Sequence, residues 1–296
     1  MQPCLVVIMG PTAVGKTKLS IDLANYFGSE IISADSRQFY REMEIGTAKP
    51  SLQELQQAKH HFINNRSVTD YYSAGDFEKE AKALMAQMFQ NGLNPIFATG
   101  GSGLYVKAIC EGLDEVQNAD LVLREFLIAQ YSAHGIAWLQ QELELIHPGK
   151  LEAMDKNNPQ RLMRAIELSK QGGIVKKHKD KPPYQVIKIG LMLDREELYE
   201  RINLRVDKMV AAGLIEEVTA LLPHKHENAL QTVGYTEIFD YLNGETSLEK
   251  AIELVKQHSR NYAKKQLTWF RKDLDINWFH PDNKMDIINF VKSQML

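Results

Sequence analysis

The chain has 296 residues, of which 44% are hydrophobic and 25% are charged, a composition typical of a soluble globular protein with one or two domains. It contains no run of about 18 apolar residues, and its short N-terminal apolar run lacks a basic flank, so neither a membrane span nor a signal peptide is predicted. Its two cysteines, Cys4 and Cys110, exclude a four-thiolate zinc site and favour the reducing cytoplasm. The formal net charge is −3, so binding of a polyanion would require local basic surfaces.

The first predicted strand, Leu5–Ile8, runs into a glycine-rich turn and then into a helical pattern that we expect to end near Gly28. A phosphate-binding P-loop has this order of elements, a strand followed by Gly-x-x-x-x-Gly-Lys-Thr and a helix. The backbone N–H groups of such a loop and the N-terminus of the helix attract an oxyanion. Lys16 adds a full charge, and the Thr17 hydroxyl is placed to ligate a Mg²⁺ that bridges phosphate oxygens. The motif does not distinguish ATP from GTP or another diphosphate, and an ordinary strand-to-helix turn is the alternative. The candidate diphosphate-binding or nucleotide-binding residues are Gly10, Pro11, Thr12, Ala13, Val14, Gly15, Lys16 and Thr17.

A second buried strand, Glu30–Ala34, is predicted to end next to Asp35 and the sequence Ser-Arg-Gln. Ligands of open α/β sheets bind outside the carboxyl ends of the strands, so we expect Asp35 on the same edge as the P-loop. A carboxylate there can ligate Mg²⁺ or its waters, or act as a general base toward an acceptor. The alternative is a carboxylate that caps a local turn.

A third buried strand, Pro95–Thr99, follows a helix with a capping-box start at Ser73–Asp76. The strand breaks into Gly100-Gly-Ser-Gly-Leu-Tyr105, a second glycine-rich turn that opens a helix. Such a turn allows the backbone to approach a ligand closely, and it offers the Ser102 hydroxyl at the same edge of the sheet. A purely structural turn is the alternative.

The pattern changes after about residue 113, where helices replace strands until a strand returns at Tyr184–Leu193. The predicted fold class is α/β, with a parallel sheet flanked by helices and an inserted all-helical domain. The predicted core comprises residues 1–113 and 184–296, with helices at its C-terminal end, and the inserted domain comprises residues 114–183. The helices predicted in the insertion are Leu121–Ser132, Ile136–Ile146 and Pro159–Ser169, and those after it are Leu198–Ala212, Ile215–Leu222, Thr236–Leu242 and Ser247–Lys272.

Two local basic runs stand out from the acidic average of the chain. Residues 161–181 carry seven Lys or Arg against Glu167 and Asp180, and residues 256–272 carry six Lys or Arg and no acid. The second run lies on the long C-terminal helix, where Tyr262, Trp269 and Phe270 stand among the cations, an arrangement suited to stacking on bases. A solvated helix face is the alternative for each run, but together they make nucleic acid a candidate partner.

Read together, these stretches resemble the tRNA dimethylallyltransferase (tRNA isopentenyltransferase, or IPP transferase) family of the bacterial type, without the zinc-finger extension of eukaryotic members. The resemblance spans nearly the whole chain, and the ordered set of motifs is far more specific than the P-loop alone. Many members carry threonine where this chain has Ser102, but the hydroxyl is retained. The motifs are Gly10–Thr17, Asp35–Tyr40, Ile45–Pro50, Tyr72–Phe77, Gly100–Tyr105, Asn158–Arg164, Val233–Tyr235 and Lys265–Arg271.

The resemblance implies a P-loop, kinase-like core with an inserted helical tRNA-binding domain. It further implies transfer of a dimethylallyl group from dimethylallyl diphosphate to N6 of adenosine 37, next to the anticodon of tRNA. Pyrophosphate would leave with Mg²⁺ as the cofactor, and Arg205 would help to bind the diphosphate. Asp35 would accept the proton of the amine, and Ser102 would be the second catalytic residue. A cytoplasmic monomer without membrane attachment is expected.

The resemblance also implies a set of tRNA contacts, which fall in six parts of the chain. They are Asp35, Ser36, Arg37, Gln38, Ser102, Arg124, Gln160, Arg161, Leu162, Met163, Arg164, Gln231, Thr232, Val233, Gly234, Tyr235, Thr236, Lys264, Lys265, Gln266, Leu267, Thr268, Trp269, Phe270 and Arg271.

Other functions compete with this interpretation. A small-molecule kinase would use the same P-loop for ATP. A P-loop RNA-binding or switch protein would bind a nucleotide and hydrolyse it slowly, without forming a stable product of group transfer. A related prenyltransferase would modify free AMP instead of tRNA. The helical insertion and the two basic runs favour a large anionic acceptor over a mononucleotide.

Overall fold

The computed structural model describes residues 2–116, 120–176 and 182–295. The chain divides into two compact units, one formed by Met1–Glu111 with Pro182–Leu296 and the other by Gly112–Lys181. The sequence analysis placed the corresponding boundaries at residues 113/114 and 183/184. We call the first unit the core unit and the second the inserted unit.

The strands are β1 Cys4–Met9, β2 Ile31–Ser33, β3 His60–His61, β4 Ile96–Gly100, β5 Glu115–Val116, β6 Ile174–Lys176, β7 Gln185–Leu191 and β8 Asn277–Phe279. The α-helices are α1 Lys16–Phe27, α2 Leu52–Gln57, α3 Ala74–Gln90, α4 Gly103–Cys110, α5 Leu121–His134, α6 Ile136–Ile146, α7 Pro159–Lys170, α8 Arg195–Ala211, α9 Leu214–Ala220, α10 Thr236–Leu242, α11 Leu248–Phe270 and α12 Lys284–Gln294. Short 3₁₀ helices occupy Lys150–Ala153, Leu222–His224 and Asn228–Leu230.

Six strands of the core unit form one parallel sheet in the order β3-β2-β4-β1-β7-β8. β1 lies inside it, with Val6 opposite Phe97 of β4 on one side and Ile187 of β7 on the other. Parallel strands end at one edge, so the turns after β1, β2 and β4 meet there. The predicted α/β class with a parallel sheet is confirmed.

The sheet is covered on both faces, which explains why β1 is an uninterrupted apolar run. Leu5, Val7 and Met9 pack in a core with α3, α4, α9 and α10, whereas Val6 and Ile8 pack in a second core with α1, α8 and α12. Each fully buried aliphatic side chain of this kind contributes about 1.5–3 kcal/mol to folding.

Local sequence signals set the ends of the helices that carry the site. α1 ends at Gly28, whose φ of 63° lies in the left-handed region and whose amide donates to the Ala24 carbonyl, as predicted. α3 begins with the predicted capping box, in which the Ser73 hydroxyl accepts from the Asp76 amide and the Asp76 carboxylate accepts from the Ser73 amide.

Two elements of the core unit lie beyond residue 272, where the sequence analysis assigned nothing. β8 adds a three-residue strand to the edge of the sheet, and α12 packs Ile287, Ile288 and Val291 against its second core. A strand of three residues is too short to show a periodic pattern. None of the helices within the described residues is long and apolar enough to cross a membrane.

The inserted unit is built by α5, α6 and α7 around a small core of its own. Leu127, Leu139, Leu143 and Ile166 are completely buried there. The predicted all-helical composition was wrong in one respect, because β5 and β6 pair antiparallel, and strands of two and three residues leave no readable alternation in sequence. Residues 177–181 of the first basic run lie outside the described residues.

Candidate functional site

The predicted P-loop joins β1 to α1 and has the backbone that anion binding requires. Gly10 has a φ of 153°, and a Cβ there would lie 2.7 Å from the Leu191 carbonyl oxygen. Gly15, with a φ of 107°, precedes α1, and no side chain caps that helix. The first N–H groups of α1 are therefore left for a bound oxyanion, which the positive end of the helix also favours.

Lys16 folds back onto its own loop. Its Nζ donates to the carbonyl oxygens of Gly10 at 3.0 Å and Pro11 at 2.8 Å. Burial lowers the pKa of Lys16 to about 8, with the nearby Asp35 carboxylate opposing this change and the Arg205 guanidinium adding to it. The ammonium is thus held inside the loop by two carbonyl oxygens, which phosphate oxygens of a bound ligand can replace.

This pKa predicts a pH dependence of diphosphate binding. Lys16 is charged below pH 8 and loses its proton as the pH rises, so the dissociation constant for inorganic pyrophosphate should rise about fivefold between pH 8 and pH 9. Titration calorimetry at pH 7, 8 and 9 measures this change. A Lys16→Arg variant provides the matched control, because its guanidinium does not titrate in this range. Equal pH dependence in both proteins would contradict the assignment.

A glutamine from the C-terminal helix ties the P-loop to the second glycine-rich turn. Gln266 on α11 accepts from the Thr12 amide at 2.9 Å and donates to the Gly101 carbonyl at 2.9 Å. On the other side, the guanidinium of Arg205 on α8 donates to the Thr12 hydroxyl at 2.9 Å. Residues far apart in sequence therefore fix the P-loop from two directions.

Asp35 and Ser102 lie on facing turns at the ends of β2 and β4. Asp35 accepts from the Arg37 amide at 3.0 Å, and the Ser102 hydroxyl accepts from the Ser36 amide at 3.0 Å and donates to the Ser36 hydroxyl at 3.1 Å. The Tyr262 side chain on α11 lies next to those of Ser102 and Gln266. Burial, reinforced by the Asp35 carboxylate, raises the pKa of Tyr262, so its hydroxyl stays protonated.

Most of these groups, although not the buried Ser102, line one large cavity of the core unit. Its volume is about 1140 Å³, and its wall includes Lys16, Thr17, Asp35, Arg205 and Tyr262. A cavity of this size exceeds what a small donor molecule needs, so it has room for a second reactant beside Asp35.

The oxygen atoms at this edge suit Mg²⁺ only in part. Thr17 and Asp35 offer a hydroxyl and a carboxylate to the same cavity. Across residues 2–116, 120–176 and 182–295, no group of three or more His, Cys, Asp or Glu side chains is arranged to hold a metal. Mg²⁺ commonly takes one or two protein oxygens and completes its shell with phosphate and water, so these residues fit Mg²⁺ carried by a diphosphate.

An acidic residue that the sequence analysis missed organises the wall of the cavity. Glu217 on α9 accepts from the amides of Glu44 at 2.9 Å, Ile45 at 2.7 Å and Gly46 at 3.0 Å, and from the Tyr235 hydroxyl at 2.6 Å. Gly46 is required here, because a Cβ at this position would lie 2.5 Å from the Tyr235 ring. The contacts hold the loop at residues 44–50 on the cavity wall.

Comparison with known proteins assigns the chain to a family. The IPP transferase family model matches residues 38–273. The chain is 47% identical to a tRNA dimethylallyltransferase of Christiangramia forsetii over 100% of this chain and 99% of the relative, and 43% identical to tRNA dimethylallyltransferase 1 of Bacteroides fragilis over 98% of each. The chain belongs to the tRNA dimethylallyltransferase family. It is therefore an enzyme of the prenyltransferase class that acts in tRNA modification.

Solved structures of the family share the fold. The crystal structure of the full-length tRNA isopentenylpyrophosphate transferase of Bacillus halodurans matches with a TM-score of 0.74 and 38% identity, covering 99% of this chain and 96% of that one. A eukaryotic dimethylallyltransferase acting on tRNA matches with a TM-score of 0.71 and 26% identity, covering 90% of this chain and 70% of that one. The predicted P-loop type of core is confirmed by these neighbours.

The tRNA contacts implied in the inserted unit fall into two groups. Arg124 and Arg164 both bond the completely buried carboxylate of Glu167, and Arg124 also donates to Gln160 at 3.4 Å. The Glu167 carboxylate therefore partly neutralises both arginines. In the sequence analysis, Glu167 was only one of the two acids in the first basic run. Leu162 and Met163 are buried in the core of the unit, so a direct side-chain contact with tRNA is not supported for either. Arg161 is exposed.

The implied contacts on α11 divide in the same way. Gln266 and Phe270 are buried, and Leu267 packs against the second core of the sheet, so these three side chains support the site from within. The exposed members of the set are Lys264, Lys265, Thr268, Trp269 and Arg271. Within the part of the chain that the structure describes, no ion pair involves the cations of this exposed group.

The turn at residues 231–236 and the segment after β2 share the cavity. Tyr235 is completely buried and bonds Glu217, so its side chain is structural. Arg37 donates to the Gln231 carbonyl at 3.4 Å, and Gln38 accepts from the Ser33 hydroxyl at 3.0 Å. The members of both segments that line the cavity are Asp35, Ser36, Arg37, Gln38, Gln231, Thr232, Val233, Gly234 and Thr236.

Proposed function

We propose that this enzyme transfers the dimethylallyl group of dimethylallyl diphosphate to N6 of adenosine 37 in tRNA and releases pyrophosphate. The observation that carries the proposal is the shared cavity, in which Lys16 and Arg205 lie close enough to Asp35 for their charges to interact. Anion-binding groups and a carboxylate on one wall suit a reaction in which a diphosphate leaves and an amine loses a proton. The names of the relatives supply tRNA as the acceptor.

In this proposal, one group of residues acts on the adenine amine and another on the departing pyrophosphate. A new bond forms between N6 of adenine and the first carbon of the prenyl group, and the bond from that carbon to the diphosphate oxygen breaks. Asp35 accepts the proton of the amine, and Ser102 orients the reacting groups from the facing turn. Lys16, Arg205 and the amides of the P-loop stabilise the charge on the departing pyrophosphate. No phosphoryl group moves.

Mg²⁺ fits this proposal as a charge-neutralising partner of the diphosphate. The Thr17 hydroxyl and the Asp35 carboxylate are the protein oxygens that would hold it. When bound, the cation would withdraw negative charge from the leaving group. Addition of a chelator should therefore lower turnover and leave the fold unchanged, as circular dichroism would show.

The proposed surface for tRNA is a local group of cations, since the net charge of the chain is −3. Lys264, Lys265 and Arg271 are exposed on or just after α11, on the same helix whose Tyr262 lines the cavity. A backbone-binding surface of this kind places an RNA strand next to the opening, and the target base must leave its stack to reach Asp35. We further propose that the enzyme is a cytoplasmic monomer.

Product analysis tests the proposed function. The protein is incubated with Mg²⁺, dimethylallyl diphosphate and unmodified tRNA, and the nucleosides are analysed by mass spectrometry after digestion. We expect N6-(dimethylallyl)adenosine from tRNA, and none when adenosine 37 is replaced by guanosine. A prenylated product from free AMP but not from tRNA would replace the proposal with the mononucleotide alternative.

A further inference from the structure

A histidine on the cavity wall has no part in the chemistry described above. His258 lies on α11 and exposes 45% of its side chain, and it lines the same cavity as Asp35. Its Nδ1 lies 2.6 Å from the carboxylate of Glu237 on α10. Sequence analysis singled out neither residue, because they are 21 positions apart on different helices.

Glu237 is a buried anchor whose oxygens are all engaged. Only 3% of its surface is exposed, and its other carboxylate oxygen accepts from the Gly234 amide at 2.7 Å and the Thr236 hydroxyl at 3.1 Å. A carboxylate accepts hydrogen bonds, so Nδ1 of His258 carries the proton. This bond fixes the orientation of the ring and leaves Nε2 available to a ligand. Among the described residues, no protein group bonds Nε2.

The position of His258 separates it from the reacting groups. Val255, His258, Ser259, Tyr262 and Gln266 all line the cavity along one face of α11. Gln266 bonds the P-loop and the Tyr262 side chain lies next to Ser102, so this end of the face lies beside the proposed place of the reaction. His258 is eight residues from Gln266, which corresponds to about 12 Å along the helix.

The cavity wall as a whole is suited to an RNA strand. Its Lys and Arg residues outnumber its carboxylates by six to three, which favours a polyanion. The cations are Lys16, Lys18, Arg37, Lys49, Arg205 and Lys208, and the acids are Asp35, Glu54 and Glu237. A strand that carries the target adenosine beside Asp35 can continue along this wall, which brings its flanking nucleotides toward His258.

We propose that His258, oriented by Glu237, binds the ribose 2′-hydroxyl of a nucleotide that flanks the target adenosine. A 2′-hydroxyl both donates and accepts, so Nε2 can bond it whether or not it carries a proton. The same contact distinguishes RNA from DNA at that position. This inference rests on the proposed function, since it concerns the acceptor strand in the same cavity.

Equilibrium binding of RNA stem-loops tests the proposal independently of catalysis. Fluorescence anisotropy gives the dissociation constant of an unmodified anticodon stem-loop and of a set in which each loop nucleotide in turn carries a 2′-deoxyribose. For the wild-type protein, a deoxyribose at one flanking nucleotide should weaken binding by about three- to tenfold. His258→Phe should weaken binding of the unmodified loop by the same factor, and the deoxyribose at that nucleotide should then have no further effect.

Two further variants complete the test. Ser259→Ala, on the same wall, should leave the sensitivity to deoxyribose intact, and Glu237→Gln should reduce it because the ring is less firmly oriented. The proposal is overturned if the His258→Phe effect adds to that of the deoxyribose at every loop position, or if the variant binds all the loops as the wild type does. Because binding alone is measured, absence of prenyl transfer would count against the proposed function and not against this contact.

Discussion

Replacing Asp35 by Asn should lower the turnover number for tRNA prenylation on the order of 10³-fold, the range that general bases contribute. The amide cannot accept the proton of the amine, but its oxygen can still accept from the Arg37 amide, as the carboxylate does at 3.0 Å. The local turn is thus retained and the chemical step is lost. We therefore expect the dissociation constant for tRNA to change by less than about threefold, which is below 1 kcal/mol.

Asp155 provides a matched control for this experiment. Its carboxylate accepts from the Asn157 amide at 3.1 Å, which is the same local contact in an exposed turn of the inserted unit. Asp155→Asn should keep the turnover number of the wild type under saturating tRNA. If Asp35→Asn also turned over normally, Asp35 would not be the base.

Replacing Glu217 by Ala should produce the largest loss of stability among the residues of the site. The change leaves three backbone N–H groups and the Tyr235 hydroxyl without their acceptor. Hydrogen bonds to a charged group contribute about 1.5–3 kcal/mol each when buried, but water reaches part of this loop. We expect the free energy of unfolding to fall by about 2–3 kcal/mol in chemical denaturation, and prenylation to weaken because the wall at residues 44–50 is released.

Glu216 offers the control on the same helix. It precedes Glu217, is exposed, and its replacement by Ala should change the free energy of unfolding by less than about 0.5 kcal/mol. Equal effects of the two substitutions would show that the hydrogen bonds of Glu217 contribute little. Glu217→Gln retains an acceptor and should give an intermediate loss.

Features with a local signal were predictable from the sequence. The apolar run of β1, the spacing from Gly10 to Thr17 and the capping box at Ser73 each depend on neighbouring residues, and the structure has all three. The placement of Asp35 at the P-loop edge followed from a general rule for parallel sheets, and both line one cavity.

The supporting contacts were not predictable, because they join residues that are distant in sequence. Glu217 contacts Ile45 across 172 positions, and Gln266 contacts Thr12 across 254. A glutamate or glutamine on a helix is usually a solvated side chain, so nothing local marks these two as structural. The same limitation applies to Phe270, which its motif places among the implied tRNA contacts and which is buried in the core.

Competition between two donors tests the central claim most directly. The protein, Mg²⁺ and unmodified tRNA are supplied with dimethylallyl diphosphate and ATP together, and prenylated adenosine, pyrophosphate and transferred phosphate are quantified. The P-loop should serve the leaving group of the prenyl donor, so each prenylated adenosine should be matched by one pyrophosphate while ATP stays intact. Transfer of the terminal phosphate of ATP, with no prenyl group on tRNA, would contradict the claim.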